Sequence, residues 1–185
     1  NANYDNCIKQ LDSNKIHYTQ LEDFDNYLKV KSINKLFIIE NIKNGNFYIQ
    51  NPSSKLIVNL LIIKSSDRVL DACCGPGGKL SDIAINNSSS KNIYGYEIDS
   101  DRFIRTQNNL KQMKITNVNM INEDFLSCKN KKFDKILLDV PCSSTGTINK
   151  NPDVMIRRRP EDYKFFNEIQ LSMLNKSISL LNKNG

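Results

Sequence analysis

The sequence has little of what a metal site or a membrane segment needs. It holds one histidine, His17, and its five cysteines, Cys7, Cys73, Cys74, Cys128 and Cys142, form no C-x-x-C pair. No metal site is therefore expected. The longest mostly apolar run, Leu56–Ile63, is interrupted by Asn59 and falls far short of a bilayer span, so no membrane partner is expected either. Asn1–Asp5 carry no basic residue, and no signal peptide is visible. An odd cysteine count without secretory signals points to reduced thiols in an intracellular protein. Arginine is scarce, 6 residues in all, yet three of them are adjacent at Arg157–Arg159.

What is present fits one ordinary domain with a small appendage. The 185 residues are 39% hydrophobic and 25% charged, the balance of a soluble globular chain and not of a disordered one. A chain of this size buries roughly 70% of its extended surface and needs no disulfide or metal staple. The formal charge of +6 is unevenly placed. Residues 1–51 hold 6 Lys and 6 acids, whereas residues 52–185 hold 20 bases against 14 acids. A basic body is the electrostatic footprint of a polyanion binder, although solvated surface lysines would produce the same count.

From residue 66 onward the pattern alternates between strand and helix. Strands are expected at Asp67–Ala72, Asn92–Glu97, Val118–Asn122 and Lys135–Val140, with helices at Gly78–Ile85 and Asp101–Met113. A long helix opens at Pro160 and runs to Leu181, with Ile169, Met173, Leu174, Ile178 and Leu181 on one side and Asn184-Gly185 as its stop. Such alternation implies an α/β fold with a parallel sheet covered on both faces. Upstream, Leu36–Ile39 and Phe47–Gln50 read as short strands and Pro52–Ile63 as a helix, so residues 1–50 form a small N-terminal α/β subdomain.

Four signals fall at the carboxyl ends of the four strands. The first is Asp71-Ala-Cys-Cys-Gly-Pro-Gly-Gly-Lys79, where a strand ends in glycines and opens a helix, so the backbone can approach a ligand. The spacing fits neither G-x-G-x-x-G nor a P-loop. The second is Glu97, 22 residues beyond Gly75, placed to accept ribose hydroxyls. The third is Asp124, which could accept from an adenine amino group, with Phe125 against the ring. The fourth is Leu138-Asp-Val-Pro-Cys-Ser-Ser-Thr-Gly146, which puts Asp139 three residues before Cys142. Each alone could be a strand-end acid or a packed thiol. Together the first three converge on one crevice suited to an adenosine, with Cys142 at its rim.

These motifs resemble the RNA cytosine-5 methyltransferases of the RsmB/Nop/Sun group, which use S-adenosylmethionine. The family's D-x-C-A-A-P-G-G-K-T is similar to DACCGPGGKL at 71–80, and D-x-P-C-S-G-[TS]-G to Asp139–Gly146, followed by Asn151-Pro-Asp153 and Arg157-Arg158. Tyr96–Arg102 and Asp124 match its second and third motifs, and Phe47–Ser54 its Q-D-x-S-S entry segment. The departures are Asn51 for Asp, Cys74 and Gly75 for two alanines, Leu80 for Thr and Ser144 for Gly. The resemblance spans roughly residues 45–185 and implies a class I methyltransferase-like Rossmann fold over 51–185, C-terminally incomplete.

By this resemblance Cys73, Cys74, Gly75, Pro76, Gly77, Gly78, Lys79, Glu97, Arg102, Asp124 and Asp139 hold S-adenosylmethionine. Asp139 also binds the cytosine's nitrogen edge, and Cys142 assists release of the methylated base. The attacking Cys belongs to a Thr-Cys motif on a strand after the long helix; Gly185 falls at the turn before it, so this chain alone would be inactive. Lys150, Arg157, Arg158 and Arg159 would hold phosphates of a ribosomal or transfer RNA. Two rivals are a methyltransferase acting on DNA, with Cys142 itself attacking, and a non-catalytic RNA- or cofactor-binding module.

Overall fold

The structure is a computed structural model that describes residues 2–22, 24, 27–32 and 35–183. In chain order its elements are α1 (Ala2–Ser13), β1 (Tyr18–Gln20), β2 (Leu28–Val30), α2 (Leu36–Lys43), α3 (Pro52–Asn59), β3 (Val69–Asp71), α4 (Gly78–Asn86) and β4 (Ile93–Tyr96). They continue with α5 (Ser100–Gln112), β5 (Val118–Ile121), β6 (Lys135–Leu137), α6 (Val154–Arg157) and α7 (Pro160–Leu180). The expected stop at Asn184-Gly185 lies outside the described residues.

Strands β3 to β6 form the expected parallel sheet, in the order β5-β4-β3-β6. Val69 pairs with Ile93 and with Lys135, so β3 is central, as its fully buried three residues require. Side-chain alternation sorts the sheet's two faces. Val69, Ile93 and Leu137 join Val58, Leu80, Ile83 and Leu110 in one apolar cluster. Leu70, Tyr96 and Phe133 join Phe125, Met173 and Leu180 in the other. The fold is thus an α/β, Rossmann-like sheet with helices on both faces. Among the described residues no helix is long and apolar enough to cross a membrane, and no cluster of three His, Cys, Asp or Glu could hold a metal ion.

The amino-terminal region departs from expectation. Leu36–Ile39 is helical, the first half of α2, with Ile38 and Asn41 buried on one side. Its side chains join α1 and the antiparallel β1–β2 pair in a separate small core around Leu11, Ile16 and Ile38. A four-residue apolar run cannot distinguish a buried helix turn from a strand. Phe47–Gln50 forms no strand either; it is an irregular segment leading into α3. Helix α3 stops at Asn59, and Ile62 adopts φ 47°, which ends any continuation.

Helix α7 faces differently from its expected stripe. Met173, Ser177 and Leu180 are buried, while Leu174 and Ile178 are 47% and 61% exposed. The inward row is 169, 173, 177 and 180, steps of three and four that keep to one face. Ser177 fits there because its hydroxyl donates to the Met173 carbonyl at 2.9 Å. Just past the helix, Leu181 forms a parallel bridge with Phe133, immediately ahead of β6.

Candidate active site

A cavity of about 200 Å³ opens at the carboxyl ends of the strands. Its walls come from the glycine turn (Cys73, Cys74, Gly75, Pro76, Gly78, Lys79), from Asp71 ending β3, and from Asp139 beyond β6. Tyr48, Ile49, Gln50, Asn51 and Ser54 supply the remaining wall. Gly77 takes φ 101° as it caps α4, a conformation open mainly to glycine. The first N–H groups of α4 have no carbonyl before them in the helix, so they favour an anion. Lys79 Nζ meets Asp139 Oδ2 at 2.5 Å, joining the turn to the loop that carries Cys142.

Glu97, Arg102, Asp124 and Gly77 lie outside this cavity's wall. Glu97 is buried and braces the turn from behind. Its Oε2 accepts the Gly75 N–H at 3.0 Å, and its Oε1 accepts the Asp99 N–H at 2.9 Å and pairs with Arg102 at 3.0 Å. The bond to Gly75 needs the absence of a side chain there, because a Cβ on Gly75 would sit 2.3 Å from Glu97 Oε2. Asp124 accepts the Leu126 N–H at 2.9 Å and so caps the short turn Phe125–Ser127. Phe125, expected against a ligand ring, is 2% exposed and packs edge-on against Tyr96. Its ring is spent on the core.

The thiols separate by environment. Burial, then the charges of Asp71, Glu97 and Asp139, push the Cys73 thiol up to about 12. Cys74 is also pushed up, by burial first. Both stay protonated at neutral pH and pack the turn. Cys142 is exposed, and its Sγ accepts the Ser144 N–H at 3.4 Å. The loop around it is held from α7, where Gln170 donates to the Pro141 carbonyl at 2.9 Å, and from Arg158, which donates to the Ser143 carbonyl at 2.8 Å.

The basic segment is not uniform. Arg158 also lies over the Phe166 ring at 5.0 Å, so it is committed to the loop. Arg157 is exposed and pairs with Asp153 at 3.1 Å; Lys150 and Arg159 are exposed. The backbone of Arg159 donates to Asp162 at 2.9 Å at the start of α7.

Six cavity residues had no individual role from sequence: Tyr48, Ile49, Gln50, Asn51, Ser54 and Asp71. Asp71 was legible only as part of its motif. Gln50 lies in the segment misread as a strand. Asn51, which departs from the resembled pattern, caps α3 by accepting from Ser53 N and Oγ at 3.1 and 2.9 Å, a role Asp fills equally well. Leu80, another departure, is fully buried, and a Cβ on Gly95 would meet its Cδ2 at 2.7 Å. It fills the space left by that glycine.

Comparison with known proteins agrees with this fold. The family model described as 16S rRNA methyltransferase RsmB/F matches residues 58–185. A probable ribosomal RNA small subunit methyltransferase B of Bacillus subtilis (strain 168) is 32% identical over 147 residues, covering 77% of this chain and 33% of the relative. The solved structure of PH0851 superposes with a TM-score of 0.87 at 26% identity, covering 96% of this chain and 41% of that one. That of NSun6 from Pyrococcus horikoshii with SFG gives 0.74 at 26% identity, covering 85% and 40%. The chain therefore spans between a third and about two fifths of these proteins. S-adenosylmethionine is the family's cofactor, and the cavity fits such a ligand: Asp71 Oδ1 and Gln50 Nε2 are buried in its wall without partners. Matched over residues 58–185, the chain belongs to the RsmB/F family of S-adenosylmethionine-dependent rRNA methyltransferases.

Proposed function

We infer that this chain is the cofactor-binding part of an enzyme that methylates carbon 5 of a cytosine in ribosomal RNA. The observation that carries the reading is Asp139. It lines the cofactor cavity, pairs with Lys79 of the glycine turn, and stands three residues ahead of the exposed Cys142. A methyl donor in the cavity and a base at the Cys142 loop would then be neighbours.

Carbon 5 of cytosine is a weak nucleophile until a thiolate adds to carbon 6. S-adenosylmethionine supplies the methyl group. Asp139 orients the cytosine through its nitrogen edge, and Cys142 assists loss of the carbon 5 proton and expulsion of the attacking thiol. The base must leave its stack to reach them. Arg157, Arg159 and Lys150 hold the flanking phosphates. None of the five cysteines follows a threonine, so the attacking Thr-Cys implied by the resemblance is not among these residues.

Two measurements test this. Glu97→Ala removes the carboxylate that braces the glycine turn at the Gly75 N–H and should weaken S-adenosylmethionine binding by roughly 1–3 kcal/mol in calorimetry, the range for lost charged hydrogen bonds; unchanged affinity would show that this brace does not shape the site. In a polypeptide that also carries the Thr-Cys segment, Cys142→Ala should accumulate a denaturant-resistant RNA adduct bearing the transferred methyl. The 185-residue chain should form no adduct with Cys142 intact. If it did crosslink through Cys142, that thiol would be the attacking group.

A further inference from the structure

The edge of the sheet opposite the cavity is basic. It is where the parallel strands β3 to β6 begin, and backbone contacts gather the neighbouring chain ends there. The Val69 N–H donates to the Asn92 carbonyl at 2.9 Å, and the Asp134 N–H to the Arg68 carbonyl at 2.8 Å. The Asn117 amide reaches the carbonyls of Asn87 and Ser90, just past α4, at 3.1 and 3.2 Å. The Asn182 N–H, just past α7, reaches the Phe133 carbonyl at 2.9 Å. Arg68, Lys91, Lys131, Lys132, Lys135 and Lys183 take part in these contacts or flank them in sequence, and Lys91, Lys132 and Lys183 are exposed.

Nearby acids do not balance these charges. After residue 58 the acids at this edge are Asp67 and Asp134, and both are spent on holding the chain. Asp67 accepts the Lys64 N–H at 2.8 Å; Asp134 accepts the Arg68 N–H at 2.8 Å and the Asn182 amide at 2.7 Å. Among the described residues none of the six bases lies within ion-pair distance of a carboxylate. The helix macrodipole does not account for the cluster. It would draw bases into the last turns of α4, α5 and α7, yet α4 and α7 have none there and α5 has Lys111 alone. Lys132 does donate to the Ser179 carbonyl near the end of α7, at 2.7 Å. The other five stand on connecting segments or, for Lys135, at the start of β6. Gathered like charges repel one another, and an anion at this edge would relieve that cost.

Two of the cations are held in place. Arg68 lies over the rings of Tyr94 and Phe133 at 4.7 and 5.4 Å and donates to the Tyr94 hydroxyl at 3.0 Å. Lys131 lies over Tyr94 and Tyr96 at 5.5 and 5.6 Å. Charges already ordered against aromatic faces lose little freedom on binding.

We propose that this edge is a second RNA-binding surface, on the far side of the sheet from the methyl-transfer site, where lysines hold phosphates without reading bases. Its rings are occupied by Arg68 and Lys131, so it offers no platform for stacked bases. RNA is favoured over other anions because the chain belongs to a family of rRNA methyltransferases and carries exposed bases, Lys150, Arg157 and Arg159, by the Cys142 loop as well. A long folded RNA is one polyanion that reaches both edges. The inference rests on RNA as the substrate and goes beyond it: one edge presents the target base, and the other anchors a distant part of the same molecule.

The test is binding of a short oligouridylate to the 185-residue chain, followed by fluorescence anisotropy over a range of salt. The probe contains no cytosine, so the methyl-transfer site has no base to select. Lys91→Gln, Lys132→Gln and Lys183→Gln together should lower the log–log salt slope by up to ~2, at ~0.7 for each lost single-strand phosphate contact. The double variant that spares Lys132, whose amine bonds α7, should lower it by up to ~1.4 and keeps the result free of any effect on the fold. Lys9→Gln, Lys15→Gln and Lys29→Gln remove the same charge from the exposed surface of the amino-terminal region and should leave the slope unchanged. Equal falls in the two triple variants overturn the proposal, since net charge alone predicts them. An unchanged slope in the first triple variant, with a fall for Arg157→Ala, also overturns it and leaves RNA contact by the Cys142 loop standing. If the first triple variant instead loses binding to oligoglutamate or to phosphatidylglycerol vesicles but not to oligouridylate, the surface belongs to an acidic protein or a membrane. If the unmutated chain binds no oligouridylate, RNA contact fails at both edges.

Discussion

At the scale of single residues, Gly75 and Glu97 form one unit. Glu97 reaches the Gly75 N–H because position 75 has no Cβ. Gly75→Ala should displace the carboxylate and destabilise the fold by about 1–3 kcal/mol, the usual cost of overpacking. The shorter side chain of Glu97→Asp should recover much of that loss in the double variant, a non-additivity that urea denaturation would reveal. Additive losses would show that the two residues are not coupled. Asp71 supplies a pH signature in the unliganded protein. Its folded pKa is raised from 3.8 to about 7, chiefly by burial. A raised carboxyl pKa contributes stability that is fully present below about 4 and is lost as the pH rises through about 7, up to ~4 kcal/mol in all. Asp71→Asn should flatten the difference in unfolding free energy between pH 5 and pH 8 relative to the unmutated chain. An unchanged difference would place the pH dependence elsewhere.

At the scale of elements, the loop after β6 and the start of α7 behave as one piece. Arg158 and Gln170 hold the backbone at Ser143 and Pro141, so the position of Cys142 depends on side chains well downstream in sequence. On the proposed RNA-binding reading, the adjacent arginines divide their work. Arg157→Ala should weaken RNA binding with little sequence preference and lower the log–log salt slope by up to ~0.7, the value for one single-strand phosphate contact. Arg158→Ala should instead loosen the loop, exposing the 142–144 amides to faster hydrogen exchange, because it removes a bond to a backbone carbonyl and a ring contact. If both substitutions shift the salt slope equally and leave exchange unchanged, the division is wrong. The same element shows how sequence periodicity misleads. Leu174 and Ile178 are spaced i,i+4 as an apolar row of their own, yet the sheet takes the neighbouring row of Met173 and Ser177.

At the scale of the whole molecule, the amino-terminal region is tied to the sheet by contacts that no local pattern announces. The Tyr27 hydroxyl reaches both Gln50 and Asp82 of α4, and the turn after α2 places Gly45 where a Cβ would meet the Gln112 carbonyl at 1.9 Å. Gly45 has φ 74°, so it satisfies a close approach and a left-handed turn together. Tyr27→Phe should cost about 1 kcal/mol of stability in thermal denaturation, the net worth of one buried hydrogen bond. No loss would mean that the hydroxyl contacts are incidental to how the region is held.

The sequence by itself determined the strand–helix alternation after residue 66, the glycine turn, the strand-end acids and the Asp-x-Pro-Cys loop. These are local signals: buried strands are short apolar runs, and turns of this kind need glycine at fixed offsets. Their order along the chain was enough to bring them to one sheet edge. Only the tertiary structure decided which acids face the cavity and which brace it. Asp71 lies in the cavity wall because β3 is central and ends there, whereas Glu97 is drawn behind the turn by the N–H groups of Gly75 and Asp99. It also decided that Phe125 belongs to the core and that Leu36–Ile39 is a helix, because each follows from what packs against it. The Gln50 amide gained its direction in the same way, from a tyrosine 23 residues earlier in the chain.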